Sequence, residues 1–419
     1  MNGIERGDNA EAEFSVRAEL IPALTLVACA QLVSWTGLQL APTLGGPVLV
    51  GMTHSLSLAR LPLGLAFLSS AASAAVAQRV VARVGIRAFL GIGALLGALG
   101  TTFAAASTVS SAPTMLIVGI VIAGSGIGWC WLTRYEAARL LGLARGRMAL
   151  GLVVGVAGIG AVSGPLTIPL LKQASTAVGL APSTLPWLLV TLLFIALALA
   201  ATHVKGNQVR RPRPEPMVGP AIMGPELRRS ILAFSMVQGV MTAVMAIAPV
   251  VWSQGTVPGL ALALVMSVHF FGMFGLAPLL VQRIEPATSQ RVIVLGGLIT
   301  AASTFLVLPA TTPIIQGVAM FGVGLGWSFA YMAVSIRLTA VREAERRRLF
   351  QGRADMLGQL VGGVAPIAAG LFVAETSFAE LVIGLVTLSF AAALIGVRRT
   401  GDKAQREILL SDESSRSTS

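Results

Sequence analysis

The sequence predicts an all-α membrane protein, with twelve transmembrane helices in two pseudo-symmetric six-helix bundles. Three observations predict it. The 419 residues are 55% hydrophobic and only 11% charged, where a soluble domain carries about a quarter charged residues. The basic residues fall between apolar stretches, as topology determinants do. Short motifs also recur in the second half of the chain at a nearly constant offset.

The apolar stretches come first. Runs long enough to cross a bilayer of about 30 Å lie near 20–42, 55–77, 88–107, 113–133, 148–171 and 184–203. Six more lie near 230–252, 257–281, 292–310, 313–336, 354–374 and 377–397. The divisions that follow are a tail, 1–19, a first bundle, 20–203, a linker, 204–229, a second bundle, 230–397, and a tail, 398–419. The linker is basic and rich in proline, VKGNQVRRPRPEPM in its first part. The opening residues are polar and of mixed charge, unlike a cleaved leader.

Charge sets the orientation. With the N-terminus inside, 28 of the 30 Lys and Arg fall on the cytoplasmic side, and only Arg60 and Lys172 fall at the outer side. Both termini are then cytoplasmic, in a multi-pass protein of the inner (plasma) membrane. The net charge of +12 belongs to this asymmetry, and nucleic acid is not an expected partner.

The repeat divides the chain in two. Ala77-Gln-Arg-Val80 with Arg87 recurs as Val281-Gln-Arg-Ile284 with Arg291, an offset of 204. Gly124-Ser-Gly-Ile-Gly-Trp129 recurs as Gly322-Val-Gly-Leu-Gly-Trp327, an offset of 198. Two such units can rock about a midplane site.

The fifth span carries GLVVGVAGIGAVSGP, Gly151 to Pro165. At about 100° per residue, Gly151, Gly155 and Gly158 share one face and Gly160 and Gly164 the opposite one. Such faces let neighbouring backbones approach in lipid, and Pro165 is expected to bend the helix. The spacing Gly151-x8-Gly160-x3-Gly164-Pro165 resembles motif C of major facilitator transporters, a signature associated with antiporters, with Ile168-Pro169 in place of its closing Gly-Gly. The loop Gln78 to Arg87 resembles the family's motif A. Arg83, Gly85 and Arg87 match it, while Gln78 and Ala82 replace its first glycine and its acid. The arginine of motif B has no counterpart, since Ile120 and Ile122 stand where it is expected.

That resemblance implies the twelve-helix fold of the superfamily and a central cavity lined by the first, fourth, seventh and tenth helices. Each carries a polar or aromatic stripe: Gln31 and Trp35; Trp129 and Thr133; Gln238 and Thr242; Trp327 and Tyr331. These eight are the candidate substrate-binding residues. Interhelical hydrogen bonds and interfacial aromatics are the plainer reading of any one of them. With no Asp or Glu in mid-span of these helices, the expected substrate is a neutral or amphipathic organic compound.

Ionisable groups near the membrane are few. Glu136 and Asp355 sit at predicted cytoplasmic helix ends near Arg83, Arg87, Arg134 and Arg353. They form either a solvated cluster or an ion-pair gate. His269 lies at the centre of the eighth span. A charge there costs at least about 2 kcal/mol, so the imidazole is expected to be neutral at rest and is the candidate proton carrier. Arg60 either snorkels to the interface or draws anions into the mouth.

No Walker loop, metal motif or nucleophile elbow is visible. The expected function is a secondary transporter, not an enzyme, working as a monomer without cofactor or metal and exporting a drug or metabolite in exchange for protons. Uptake of a nutrient or vitamin is the alternative, and a ligand sensor that moves nothing is a further one.

Overall fold

The structure is a computed structural model that describes residues 4–140, 142–203, 222–253 and 259–397. Most of the predicted linker and the tail 398–419 lie outside the described residues, as do the side chains of residues 4–20 and of Glu136.

Twelve helices are long and apolar enough to cross a membrane. They are α1 (Ile21–Thr53), α2 (Leu58–Ala77), α3 (Arg83–Ser110), α4 (Pro113–Leu132), α5 (Gly146–Ala177) and α6 (Thr184–His203). In the second half they are α7 (Pro225–Trp252), α8 (Leu260–Arg283), α9 (Ser289–Leu306), α10 (Pro313–Thr339), α11 (Ala344–Glu375) and α12 (Phe378–Gly396). All twelve predicted spans are present, in two six-helix bundles. Within each half the connections are short, so consecutive helices run antiparallel, and Arg147 to Ile284 and Arg337 to Glu226 are contacts at the same end. Arg83, Arg87, Arg147, Arg283, Arg291 and Arg337 therefore gather at one end of the molecule, here the basic face.

Three helices depart from their predicted limits. The helix containing α1 begins at Ile4, within the predicted tail, and runs to Leu40. A five-residue π segment, Ala41–Gly45, then carries it past Pro42 into a last stretch ending at Thr53. Helix α11 starts at Ala344, about three turns before Asp355, so that carboxylate is inside the helix and not at its end. The helix holding α5 continues through Pro165 and Pro169 without a break.

Glycine sets the close approaches. Between α2 and α3 the chain turns at Gly85, whose φ of 80° favours glycine. In α4, a Cβ on Gly124 would meet the backbone of Ala66 on α2, and one on Gly126 the carbonyl of Gly93 on α3. In α10, Gly324 stands against the carbonyl of His269 on α8, and Gly326 against that of Gly296 on α9. Gly124 thus corresponds to Gly324 and Gly126 to Gly326, an offset of 200. The repeat aligned by sequence at 198 is two residues out of register. Two residues turn a helix by about 200°, so Trp129 and Trp327 are not equivalent. The counterpart of Trp129 is Phe329, and their Cβ atoms meet Gly93 and Gly296 respectively.

The two glycine faces of α5 meet different partners. Gly151, Gly155 and Gly158 face Val281, Pro278 and Phe274 on α8, in the other bundle. Gly160 faces Leu32 and Thr36 on α1, within its own bundle. Gly164 has only the Gln39 Cβ near it, 3.8 Å from where a methyl would stand. The rocking interface therefore uses the first face. On the second face, Gly160 packs within the first bundle and Gly164 has ordinary clearance.

Candidate functional site

An aromatic layer closes the centre of the molecule. Trp35 of α1 stacks on Trp131 of α4, with ring centroids 4.5 Å apart, and meets Phe274 of α8 edge-on at 4.6 Å. Trp327 of α10 stacks on Tyr331, one turn along, at 4.5 Å. The two stacks touch where Trp35 and Trp327 lie 6.2 Å apart. Both bundles contribute, so the layer is a contact between halves. Offset and edge-on pairs of this kind add about 0.5–1.5 kcal/mol each beyond area burial.

Polar groups are set into this layer. The Trp327 indole N–H donates to Gln238 Oε1 at 2.5 Å. Beneath the rings, toward the basic face, Arg134 Nη2 donates to Asp355 Oδ1 at 2.5 Å, joining the end of α4 to α11. The same guanidinium donates to the Trp131 carbonyl at 2.9 Å and the Tyr135 oxygen at 2.8 Å. It also lies 4.2 Å from the ring centre of Tyr135 and 5.0 Å from that of Tyr331. Arg134 and Asp355 are only 2% and 6% exposed. Burial works against the arginine charge and the carboxylate beside it more than offsets that, so the guanidinium pKa stands above its ordinary value.

Several polar atoms here are left over. The Trp131 indole N–H, Arg134 Nε, Asp355 Oδ2 and Gln359 Oε1 are buried with no hydrogen-bond partner among the described residues. All four belong to the lining of one small cavity of about 30 Å³, roughly the volume of one water. Buried orphan groups are costly, about 1–3 kcal/mol apiece. They lie together where a ligand could meet two donors and two acceptors.

Larger cavities lie on either side. One of about 720 Å³ opens away from the basic face, between α1, α2, α5, α7 and α8. The other, of about 970 Å³, opens at the basic face beside Tyr135, Arg147, Ile336 and Gln351. The aromatic layer and the Arg134–Asp355 pair separate the two.

Of the eight predicted binding residues, Trp35, Gln238, Trp327 and Tyr331 line the central cavity. Gln31 instead ties α1 to α4, donating to the Cys130 carbonyl at 2.6 Å and to Thr133 Oγ1 at 3.3 Å. Thr133 and Thr242 donate to carbonyls of their own helices. Trp129 points elsewhere: its N–H donates to the Ser73 carbonyl at 3.0 Å and its ring stacks on Phe89 at 4.7 Å. Trp131, about 200° further round α4, takes the central place. The four helices that the resemblance implied all reach this cavity, but the stripe of Trp129 and Thr133 marks a different face of α4 from the one that carries Trp131.

The ionisable candidates separate in the same way. Asp355 joins Arg134 in a buried pair, so the solvated-cluster reading fails for it. Arg83 and Arg87 are exposed, and Arg87 donates to the Thr202 carbonyl at the end of α6. His269 is fully buried, with Nδ1 2.7 Å from the Met320 carbonyl on α10. A carbonyl only accepts, so Nδ1 carries the proton. His269 lines none of the three cavities; its Nδ1 holds α8 to α10, and its Nε2 is buried with no hydrogen-bond partner among the described residues. His269→Gln keeps a donor near Met320. It is therefore expected to change transport rate by less than about fivefold, since exchanging one neutral hydrogen bond for another costs about 1 kcal/mol or less. Vesicle assays check this, and loss of pH-gradient-driven transport would restore His269 as the carrier.

The comparisons with known proteins now bear on this geometry. The model of the Major Facilitator Superfamily matches residues 25–366. The chain belongs to the major facilitator superfamily. It is 24% identical over 401 residues to the uncharacterized MFS-type transporter YdeG of Bacillus subtilis (strain 168), covering 90% of this chain and 91% of that one. Among solved structures it is similar to the Escherichia coli fucose:proton symporter FucP, with a TM-score of 0.63, 16% identity and 91% and 100% coverage. It is similar also to a D-xylose-proton symporter, with a TM-score of 0.70, 13% identity and 91% and 98% coverage. At such identities these symporters show the fold alone. The protein is thus a multi-pass membrane transporter of this superfamily.

Proposed function

We propose that this transporter moves a small neutral or amphipathic organic compound by alternating access, binding it in the aromatic layer between Trp35, Trp131, Gln238 and Trp327. One observation carries the reading: orphan donors and acceptors meet stacked indoles at a contact between bundles, with a large cavity on each side. Substrate would replace the ring-to-ring contacts and satisfy those atoms. Arg134 and Asp355 seal the aromatic layer from the cavity at the basic face in this state, so passage to that side requires the pair to part. The basic face is cytoplasmic, as the charge distribution implies, which places both termini inside and the protein in the inner membrane. The motif C resemblance of α5 favours export.

A growth and uptake screen of a deletion strain tests the direction. Greater sensitivity to toxic compounds supports export, and loss of growth on a nutrient overturns it in favour of uptake. With the compound so found, Trp131→Ala, Trp327→Ala or Gln238→Ala is expected to weaken binding by about 1–3 kcal/mol, the cost of a lost buried polar partner. Trp129→Phe keeps the stacking on Phe89 and is expected to bind normally. Equal losses at Trp129 and Trp131 would contradict this assignment.

A further inference from the structure

We propose that the outer cavity of about 720 Å³ is a binding site for an amphipathic organic anion. Arg60 and Lys172 would take its acidic group, and a wall of proline and methionine its apolar body. This deepens the transport reading, on which it rests for placing the cavity on the substrate path.

The charge arrangement comes first. Arg60 and Lys172 are the two of 30 basic residues that the positive-inside pattern leaves outside. They come from different helices, α2 and α5, and both line this cavity. Chance exceptions would scatter over the outer loops; these converge. No Asp or Glu lines the cavity, and neither cation has an ion-pair partner among the described residues. Two like charges in a low-dielectric cleft focus the field and raise the local concentration of anions.

The protein also holds Arg60 in place. Its stem lies across Gly370 of α11, with Cδ 2.2 Å from where a Cβ would stand. Any side chain at 370 would displace it. Its Nε is buried with no hydrogen-bond partner among the described residues. A snorkelling arginine would turn its whole head to water; this one keeps a donor inside.

The rest of the lining selects against other ligands. The side chains of Pro47, Pro169, Pro249, Met245 and Met266 carry no hydrogen-bond donor. The Thr43 hydroxyl donates to the Gln39 carbonyl of its own helix. A sugar-like neutral compound would leave most of its hydroxyls unpaired, and an organic cation would meet two like charges. Methionine adapts to varied apolar shapes, and the volume lies in the range of about 300–1,000 Å³ of small-molecule sites. The π segment Ala41–Gly45 forms part of the rim, a backbone irregularity common at functional sites.

The test measures the field without knowing the natural ligand. In a Cys29→Ser background, Ala263→Cys places a thiol in the cavity wall, and Thr311→Cys places a reference on the exposed loop between α9 and α10. Each is labelled with an anionic (sulfonatoethyl) and a cationic (trimethylammonioethyl) methanethiosulfonate. The anionic-to-cationic rate ratio at 263 is expected to exceed that at 311 by about tenfold or more. Arg60→Gln and Lys172→Gln are each expected to lower it, and the double variant to bring it to the reference. 4-Phenylbutyrate should slow labelling at 263 where its primary amide does not, and Lys172→Gln should abolish that protection. If Arg60→Gln fails to reach the membrane, Lys172→Gln alone carries the comparison. Equal ratios at 263 and 311, or equal protection by acid and amide, would overturn the proposal. Charge-selective labelling in a protein that transports nothing would instead count against the transport reading and leave the anion site standing.

Discussion

Asp355→Asn is expected to lower gradient-driven transport by about 100-fold or more while the protein still reaches the membrane. The pair it breaks is buried, bidirectionally charged and joins the two bundles. Removing one partner of a buried ion pair costs about 3–5 kcal/mol, because the other charge is left uncompensated. Here that charge is Arg134, held under Tyr331 and beside Tyr135. The cost falls on the state described, in which the basic face is closed by this contact, so the population shifts toward the state open at that face. The second substitution separates stability from coupling. Arg134→Gln with Asp355→Asn leaves no orphan charge and is expected to restore thermal stability in detergent. It is not expected to restore gradient-driven accumulation, since the charged contact between the bundles is gone. Recovery of coupled transport in the double variant would show that the pair is only a structural contact. The measurement is paired vesicle transport and thermal unfolding.

Gly151→Leu or Gly158→Leu is expected to lower transport by about 10- to 100-fold, from an overpacking cost of about 1–3 kcal/mol. Leu inserts well into a bilayer, so the damage is to packing between bundles. A Cβ alone at 151 would lie 2.4 Å from Val281 Cγ1, and one at 158 would lie 2.7 Å from the Phe274 Cβ. Both partners are on α8, across the interface that must rock. Gly158 also backs Phe274, which packs edge-on against Trp35, so the substitution reaches the aromatic layer. Gly160→Leu acts differently: it meets the Leu32 carbonyl at 2.5 Å within the first bundle and is expected to reduce yield of folded protein. Gly164→Ala, with 3.8 Å of clearance, is expected to behave as wild type. Transport assays normalised to membrane-inserted protein distinguish these. Equal effects at 158 and 164 would show that glycine content matters and its placement does not.

What could be read from the chain followed from the strength of each signal. Spans of about 20 apolar residues are unambiguous in water-free surroundings, and the basic loops orient them. The glycine faces of α5 were legible because helical periodicity is a local property. The expected ion pairing of Asp355 with a nearby arginine was legible, but its place at a helix end was not, because hydropathy trimmed the charged start of α11. AERRRLFQGRAD reads as a loop, yet it is helical from Ala344, which moves the carboxylate inside. Its partner Arg134 lies 221 residues away, and no local pattern joins them. Trp131 lies off the stripe of Trp129 and Thr133 that spacing picks out on α4, and the repeat could not correct this, because GSGIGW and GVGLGW match better as strings than their glycines match as contacts. The packing of Gly126 on Gly93 and Gly326 on Gly296 is the information the strings lacked.

The bundles are expected to part at the basic face when the Arg134–Asp355 contact is released. Spin labels at Ala88 on α3 and Arg291 on α9, both exposed near that face, allow the separation to be measured by pulsed electron spin resonance in lipid nanodiscs. A dominant short distance is expected in the parent protein and a dominant longer one in Asp355→Asn. A single distance distribution, the same in both, would contradict it.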